Sequence, residues 1–366
     1  MFERRMYPHL DWALLGSVLA LSAIGVVMIY AATAGAARAA TQQLYMTQLY
    51  AIVIGLAAIF VVLCIDYERL ADVSHLIYLL LLGVLAFVLI FGVSRGGARR
   101  WIALPSFNLQ PSEFARLGLA LVLARYFSNI SRSRPDARDL AIGGGLTLVP
   151  LALIYLEPDL GTAVTLVAVY LAIAFVAGMR MRVIAIILAI GVVTAPIAWR
   201  FALADYQKSR ISTFLDPGHD PRGAGYQQIQ ARITVGSGGV WGKGFMKGTQ
   251  GQLRFLPEAH NDFMFSVLGE ERGLLGVLVA LGLYLAVMLR SLQAARLAKD
   301  RLGAYLVIGI LAGFGFQVFY NITMSAGLAP VKGLTLPLVS YGGSAMIATL
   351  AGFGLILNVR MRRFTN

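Results

Sequence analysis

The chain has 366 residues, 58% apolar and only 13% charged, with a mean hydropathy of +0.74. A soluble globular chain carries about a quarter charged residues, so this one lacks the polar side chains to cover a surface in water and suits many membrane spans instead. One cysteine (Cys64) and four histidines exclude a disulfide framework and a cysteine zinc site and argue against a histidine metal cluster, and the formal charge of +13 reads as cytoplasmic loops and anionic membrane lipids rather than nucleic acid.

Ten runs approach the roughly 20 apolar residues that a spanning helix needs: 12–32, 48–65, 76–93, 113–127, 140–156, 160–178, 183–200, 262–289, 303–326 and 338–358. The fourth is short, and the eighth is long and interrupted. None alternates with period two, so barrel strands are not expected. The expected fold is all-α: a polytopic bundle of ten transmembrane helices, one domain over 1–366, with a long extracytoplasmic loop at 201–261 between the seventh and eighth helices. Arg4 and Arg5 precede an apolar stretch ending in Ala31, Ala32, Thr33 and Ala34, in the manner of a signal peptide. Its core exceeds the 7–15 residues of such a segment, so an uncleaved first span is expected.

Positive charge sets the orientation. With the amino terminus inside, inner loops carry Arg4, Arg5, Arg69, Arg132, Arg134, Arg138, Arg180, Arg182, Arg290, Arg296, Lys299, Arg301, Arg360, Arg362 and Arg363. Short outer loops carry only Arg38, Arg95, Arg99, Arg100 and Lys332. Both termini are thereby expected in the cytoplasm. No internal repeat is visible, and Gly309 and Gly313 have the spacing of close helix packing.

Ionisable groups in or beside spans are functional candidates, and here they gather on the outer side. Arg95, Arg99 and Arg100 beside Trp101 form either an interfacial belt or a cationic patch for a phosphate-bearing lipid headgroup. Glu113 and Arg116, three apart on one helix, suit an ion pair, with Pro111 in a first turn that Gln110 or Ser112 caps. Asp159, in the tight turn Glu157-Pro158-Asp159, either caps the next helix through Gly161 or Thr162 or faces the same polar cavity as Glu113. In the outer loop, Tyr226, Ile229 and Ile233 recur at helical spacing and predict an amphipathic helix. The run Gly236-Ser237-Gly238-Gly239-Val240-Trp241-Gly242-Lys243-Gly244 fails the P-loop pattern but leaves open an anion nest helped by Lys243 and Lys247, or a plain loop. Pro257 suits a helix start that places Glu258 and Asp262 on one face. Such a helix running to Arg290 would be about 50 Å long, so it must protrude, tilt or break. Its Glu270, Glu271 and Arg272 must face protein or water.

Acids (Glu113, Asp159, Glu258, Asp262) and cations (Arg99, Arg100, Arg116, Arg210, Lys243) on one side of a membrane suit transfer of a sugar from a lipid-linked pyrophosphate. A sugar hydroxyl needs a positioned base, and a departing pyrophosphate needs positive charge already in place, from Arg, Lys or a divalent metal such as Mg or Mn. The same cavity also suits binding and moving a charged lipid without chemistry.

The landmarks, in order, are Arg99-Arg100-Trp101-Ile102, Gln110-Pro111-Ser112-Glu113, Pro158-Asp159-Leu160-Gly161-Thr162 and Gly223-Ala224-Gly225-Tyr226-Gln227. There follow Gly236–Gly239 through Gly242-Lys243-Gly244, then Phe255-Leu256-Pro257-Glu258 with His260 and Asp262-Phe263, and finally Leu336-Pro337-Leu338-Val339-Ser340-Tyr341-Gly342-Gly343-Ser344. Together they make the chain resemble the SEDS family (shape, elongation, division and sporulation). The resemblance implies a ten-helix enzyme of the bacterial cytoplasmic membrane. Such an enzyme is a peptidoglycan glycosyltransferase, polymerising lipid II into undecaprenyl-pyrophosphate-linked glycan on the outer face, for cell elongation and rod shape. It works with a class B penicillin-binding protein, the transpeptidase, which the mobile 201–261 segment is expected to contact.

Asp262 matches the family's essential aspartate, assigned here as general base on the acceptor 4-hydroxyl. Glu113, Arg116 and Asp159 match family positions, while Glu258, His260 and Ser340 lie within landmarks and join the substrate-binding candidates. Arg116 replaces a lysine, Glu157 stands where glutamine is common, and Asn261 and Lys332 also depart from the commonest residues. These departures leave open which cation meets the pyrophosphate and whether a metal assists. A lipid II flippase and a scaffold for the penicillin-binding protein remain competing readings.

Overall fold

The structure, a computed structural model, describes residues 10–34, 39–95, 98–103, 108–132, 134–201, 203–216, 218, 224–252, 255–256 and 259–364. Arg4, Arg5, Arg38, Gly223, Pro257 and Glu258, singled out above, lie outside the described residues. The helices are α1 (Trp12–Thr33), α2 (Ala39–Gln42), α3 (Leu44–Cys64), α4 (Tyr67–Asp72), α5 (Ser74–Phe91), α6 (Ser112–Ser128), α7 (Ala137–Leu156), α8 (Leu160–Val176), α9 (Met181–Phe201), α10 (Asp205–Leu215), α11 (Ala224–Ser237), α12 (Thr249–Gln252), α13 (Met264–Arg296), α14 (Arg301–Ser325) and α15 (Gly343–Met361).

Every one of the ten apolar runs carries a helix. Helices α1, α3, α5, α7, α13, α14 and α15 are long and apolar enough to cross a membrane, and α8 and the Met181–Ile197 part of α9 are shorter apolar stretches. Helix α6, at 17 residues, is the polar one, because Glu113 and Arg116 lie in it. It is screened from lipid by α5, α7, α8, α14 and α15, which surround it. Small residues set these approaches. A Cβ on Gly309 would come within 2.6 Å of Ile173 of α8 and 3.0 Å of Ala120 of α6, and one on Gly354 within 3.1 Å of the Ile59 backbone of α3. With lipid tails as apolar as the helices, such close packing is what associates them.

A short antiparallel sheet departs from the all-helical expectation: β1 (Val93–Arg95), β2 (Ala98–Ala103) and β3 (Asn108–Leu109), with Val93 opposite Trp101 and Ile102 opposite Leu109. Strands of two to six residues are too brief for a period-two pattern to register against barrel-length segments.

The eighth span also differs. Residues 259–262 form turns, and α13 begins only at Met264, so Asp262 precedes the helix instead of lying within it. Anchors from elsewhere in the chain shape this turn: Asn321 Nδ2 donates to the Asp262 carbonyl (2.9 Å) and the Tyr341 amide to the His260 carbonyl (2.9 Å).

The expected break comes at Gly273, whose φ of 64° and ψ of −164° interrupt α13. A broken helix orphans backbone donors and acceptors, and here the glycine-rich run satisfies them. The amides of Lys243 and Gly244 donate to the carbonyls of Glu270 and Glu271, and the amides of Leu274 and Leu275 donate to those of Gly239 and Val240. Backbones approach so closely that a Cβ on Gly238 would lie 1.9 Å from the Gly269 oxygen, and one on Gly242 2.3 Å from that of Glu271. The run is therefore a clasp on a broken helix, and its amides are spent on protein carbonyls rather than an anion. Glu270 and Glu271 are buried, as a charge within a span requires, and Glu270 accepts from Lys243 Nζ (2.7 Å) and the amides of Thr249 and Gln250.

Helix α11 forms where expected but turns its polar side inward. Gln228, Ala231 and Thr234 are buried, while Ile229 and Ile233 are exposed, the arrangement of a helix offering apolar side chains to lipid.

Candidate active site

A cavity of about 580 Å³ opens among the start of α6, the α7–α8 corner, α10, the turn before α13 and the stretch 330–345. Three carboxylates (Glu113, Asp159, Asp262) and three cations (Arg100, Arg210, Lys332) line it, with Trp101, Gln110, Tyr206, Asn261, Tyr341 and Ser344 among the other walls.

On the α6 wall, Glu113 pairs with Arg116 Nη2 at 3.2 Å. Arg116 itself points inward, donating to Gln317 Oε1 of α14 and to Thr349 Oγ1 of α15 (2.9 Å). Asp159 both caps and lines. Its Oδ1 accepts from the Thr162 amide (3.2 Å), and its Oδ2 from Thr162 Oγ1 and Gln110 Nε2 (both 3.0 Å). The two readings of Asp159 were not alternatives, since a cap at a cavity wall serves both. Gln110 therefore reaches across to Asp159, and α6 starts without a side-chain cap.

Arg100 donates to the carbonyls of Glu157 (2.8 Å) and Pro158, holding the sheet against the α7–α8 corner. Tyr206 Oη donates to the Pro158 carbonyl (3.3 Å), fastening α10 to that corner and carrying Arg210 into the cavity. Opposite, Asn321 Nδ2 donates to the carbonyls of both Asp262 and Leu334 (2.9 and 2.7 Å). A Cβ on Gly333 would sit 3.6 Å from Asp262 Oδ2. The 330–345 stretch is thus held beside Asp262.

Glu113, Asp159, Arg100, Arg210 and Asp262 are brought together as expected. Others are not. Arg99 is exposed on β2 and does not line the cavity. Lys243 is ion-paired to Glu270 at the clasp. Ser340 is buried, its Oγ accepting from the Leu336 amide and its carbonyl from Gln48 Nε2, so it shapes the loop. His260 is not among the cavity-lining residues, and its ring lies 6.0 Å from that of Tyr341, which is. Lys332 and Tyr206 were missed as site residues. A lysine in an outer loop against the positive-inside trend, and a tyrosine four residues before Arg210, were the signals. Among the described residues no three His, Cys, Asp or Glu side chains gather to hold a metal ion.

Glu157, behind the corner, is buried and neither carboxyl oxygen has a hydrogen-bond partner among the described residues. Burial and the neighbouring Asp159 push its pKa from 4.5 up to about 8, with Arg100 opposing. The folded state therefore holds a proton that the unfolded state has released, and stability present below about pH 4.5 is lost as pH rises through 8. At about 1.4 kcal/mol per pK unit, Glu157→Gln is expected to match wild type at pH 5 and to exceed it by a few kcal/mol above pH 8. Melting curves across that range check this; parallel pH dependence in both proteins would contradict it.

The family model FTSW_RODA_SPOVE, described as cell cycle protein, matches residues 11–364. The chain belongs to this family. It is 37% identical over 357 residues to the peptidoglycan glycosyltransferase MrdB of Escherichia coli strain K12, covering 97% of this chain and 94% of that one. It is 38% identical over 363 residues to a probable peptidoglycan glycosyltransferase FtsW of Geobacter metallireducens, covering 96% and 95%. Among solved structures, a chain described under the structural coordination of polymerization and crosslinking by a peptidoglycan synthase complex superposes with a TM-score of 0.83 at 34% identity, covering 98% and 99%. The rod shape determining protein RodA of Thermus thermophilus gives 0.72 at 32% identity, covering 98% of each chain. The family match and these relatives thus extend along nearly the whole chain.

Proposed function

We propose that the cavity is the chamber in which a lipid-pyrophosphate-linked glycan strand is extended. The chain is a peptidoglycan glycosyltransferase, and its substrate here is lipid II. Asp262 is the general base: it takes the proton of the acceptor 4-hydroxyl as that oxygen bonds to the anomeric carbon of the donor. The carbon's bond to the pyrophosphate breaks in the same displacement, inverting the centre. The single supporting observation is that Asp262 shares one cavity with cations at one end of a membrane bundle.

That end faces outward in this reading. The opposite end, where α6, α13 and α15 finish and α14 starts, carries Arg125, Arg290, Arg296, Arg301, Arg360 and Arg362, the signature of a cytoplasmic surface. Both termini then lie inside. A class B penicillin-binding protein is the partner, cross-linking the strands as they emerge.

The purified chain with such a partner is expected to convert fluorescent lipid II into a ladder of glycan products on a gel. Translocation of labelled lipid II across liposomes without a ladder would instead identify a flippase. Neither result, with growth still dependent on the chain, would leave a scaffold.

A further inference from the structure

The charges of the cavity are unequally satisfied. Glu113 faces Arg116, Asp159 collects three donors, and Arg100 is spent on two carbonyls. Arg210 and Lys332 have no ion-pair partner among the described residues, although both line the cavity. Each instead rests on an aromatic ring. The Arg210 guanidinium carbon is 5.8 Å from the Tyr206 centroid, and Lys332 Nζ is 5.3 Å from that of Tyr320. A ring face steadies a cation without neutralising it. Burial, then repulsion from Arg210, holds the Lys332 ammonium below the usual lysine range. Two like charges kept in one recess are costly until an anion arrives.

Their place is equally telling. Lys332 directly precedes Gly333, where a Cβ would lie 3.6 Å from the Asp262 carboxylate, and Asn321 ties that stretch to the Asp262 backbone. Tyr320 Oη donates to the Pro330 carbonyl (2.8 Å), fixing the ring on which the ammonium rests. We propose that Lys332 and Arg210 together form the binding site for the pyrophosphate that leaves the sugar donor. This deepens the glycosyltransferase reading and rests on it. As the acceptor oxygen bonds to the anomeric carbon, the electron pair of the breaking carbon–oxygen bond stays on the pyrophosphate. The two cations meet that charge, and Asp262 takes the acceptor's proton.

The test is binding of farnesyl pyrophosphate to the full-length purified chain, with farnesyl monophosphate and phosphatidylglycerol as competitors. Wild type is expected to prefer the pyrophosphate. Lys332→Gln should weaken its binding about tenfold or more, the scale of losing one charge-assisted hydrogen bond, and Lys332→Arg should restore most of it. Unliganded Lys332→Gln should melt no lower than wild type, since a repulsion has been removed. Arg210→Gln provides the same reading should the lysine variant fold poorly. Unchanged pyrophosphate binding in both glutamine variants would overturn the proposal, as would equal competition by the monophosphate or phosphatidylglycerol. This readout needs no turnover. If wild type binds farnesyl pyrophosphate through Lys332 yet makes no glycan, the glycosyltransferase reading fails and the site stands.

Discussion

Asp262→Asn is expected to lower the rate of glycan polymerisation by roughly 10²–10⁴-fold, the contribution of a positioned general base, while the protein folds normally. The amide keeps the shape of the side chain and removes the proton acceptor. The bond from Asn321 Nδ2 that fixes this turn goes to the backbone carbonyl of residue 262, so the substitution leaves it in place. Steady-state polymerisation from lipid II, with melting temperature measured on the same samples, checks both halves. Wild-type rates in the variant would remove Asp262 from the chemistry, and a large drop in melting temperature would show that its role is structural.

Arg116→Met is expected to be the most destabilising single change near the site, by about 3–5 kcal/mol, because removing one partner of a buried ion pair strands the other. Glu113 would be left at a mostly buried position facing no cation, and Gln317 and Thr349 would each lose a donor. The double variant Glu113→Gln with Arg116→Met should regain a large part of the loss, since the uncompensated charge is gone. The coupling energy from this double-mutant cycle is the decisive number. A value near zero in thermal or denaturant melts would mean that the Glu113–Arg116 pair contributes nothing to stability. Polymerisation should also fall in the single variant, because Glu113 lines the cavity wall that Arg116 steadies from behind.

Residues legible in the sequence differ in kind from those that were not. Glu113 and Arg116 declared themselves because a helix places i and i+3 side by side whatever its neighbours do. Asp159 was readable as a cap for the same reason, its partner being only three residues away. Lys243 misled because its flanking glycines suggest an anion nest. Those glycines are needed where a broken helix 30 residues later comes within contact of the loop, and no local pattern encodes that. Ser340 was read as a ligand and is a loop brace, because its hydroxyl is claimed by the Leu336 amide. Lys332 showed as an outer-loop cation and a departure from common residues, its significance arising from Arg210 some 120 positions earlier.

Composition and hydropathy alone determined that the chain is a helical membrane protein, where its ten apolar helical runs lie and which end of them carries the acids. Each of these follows from the cost of exposing polar backbone and charge to hydrocarbon, a cost set residue by residue. Which charges neutralise one another and which remain for a ligand was decided only by tertiary packing, because an ion pair depends on distances between side chains that the chain order does not contain. Arg116, Lys243 and Arg100 are consumed by the protein, and Arg210 and Lys332 face the cavity beside Asp262.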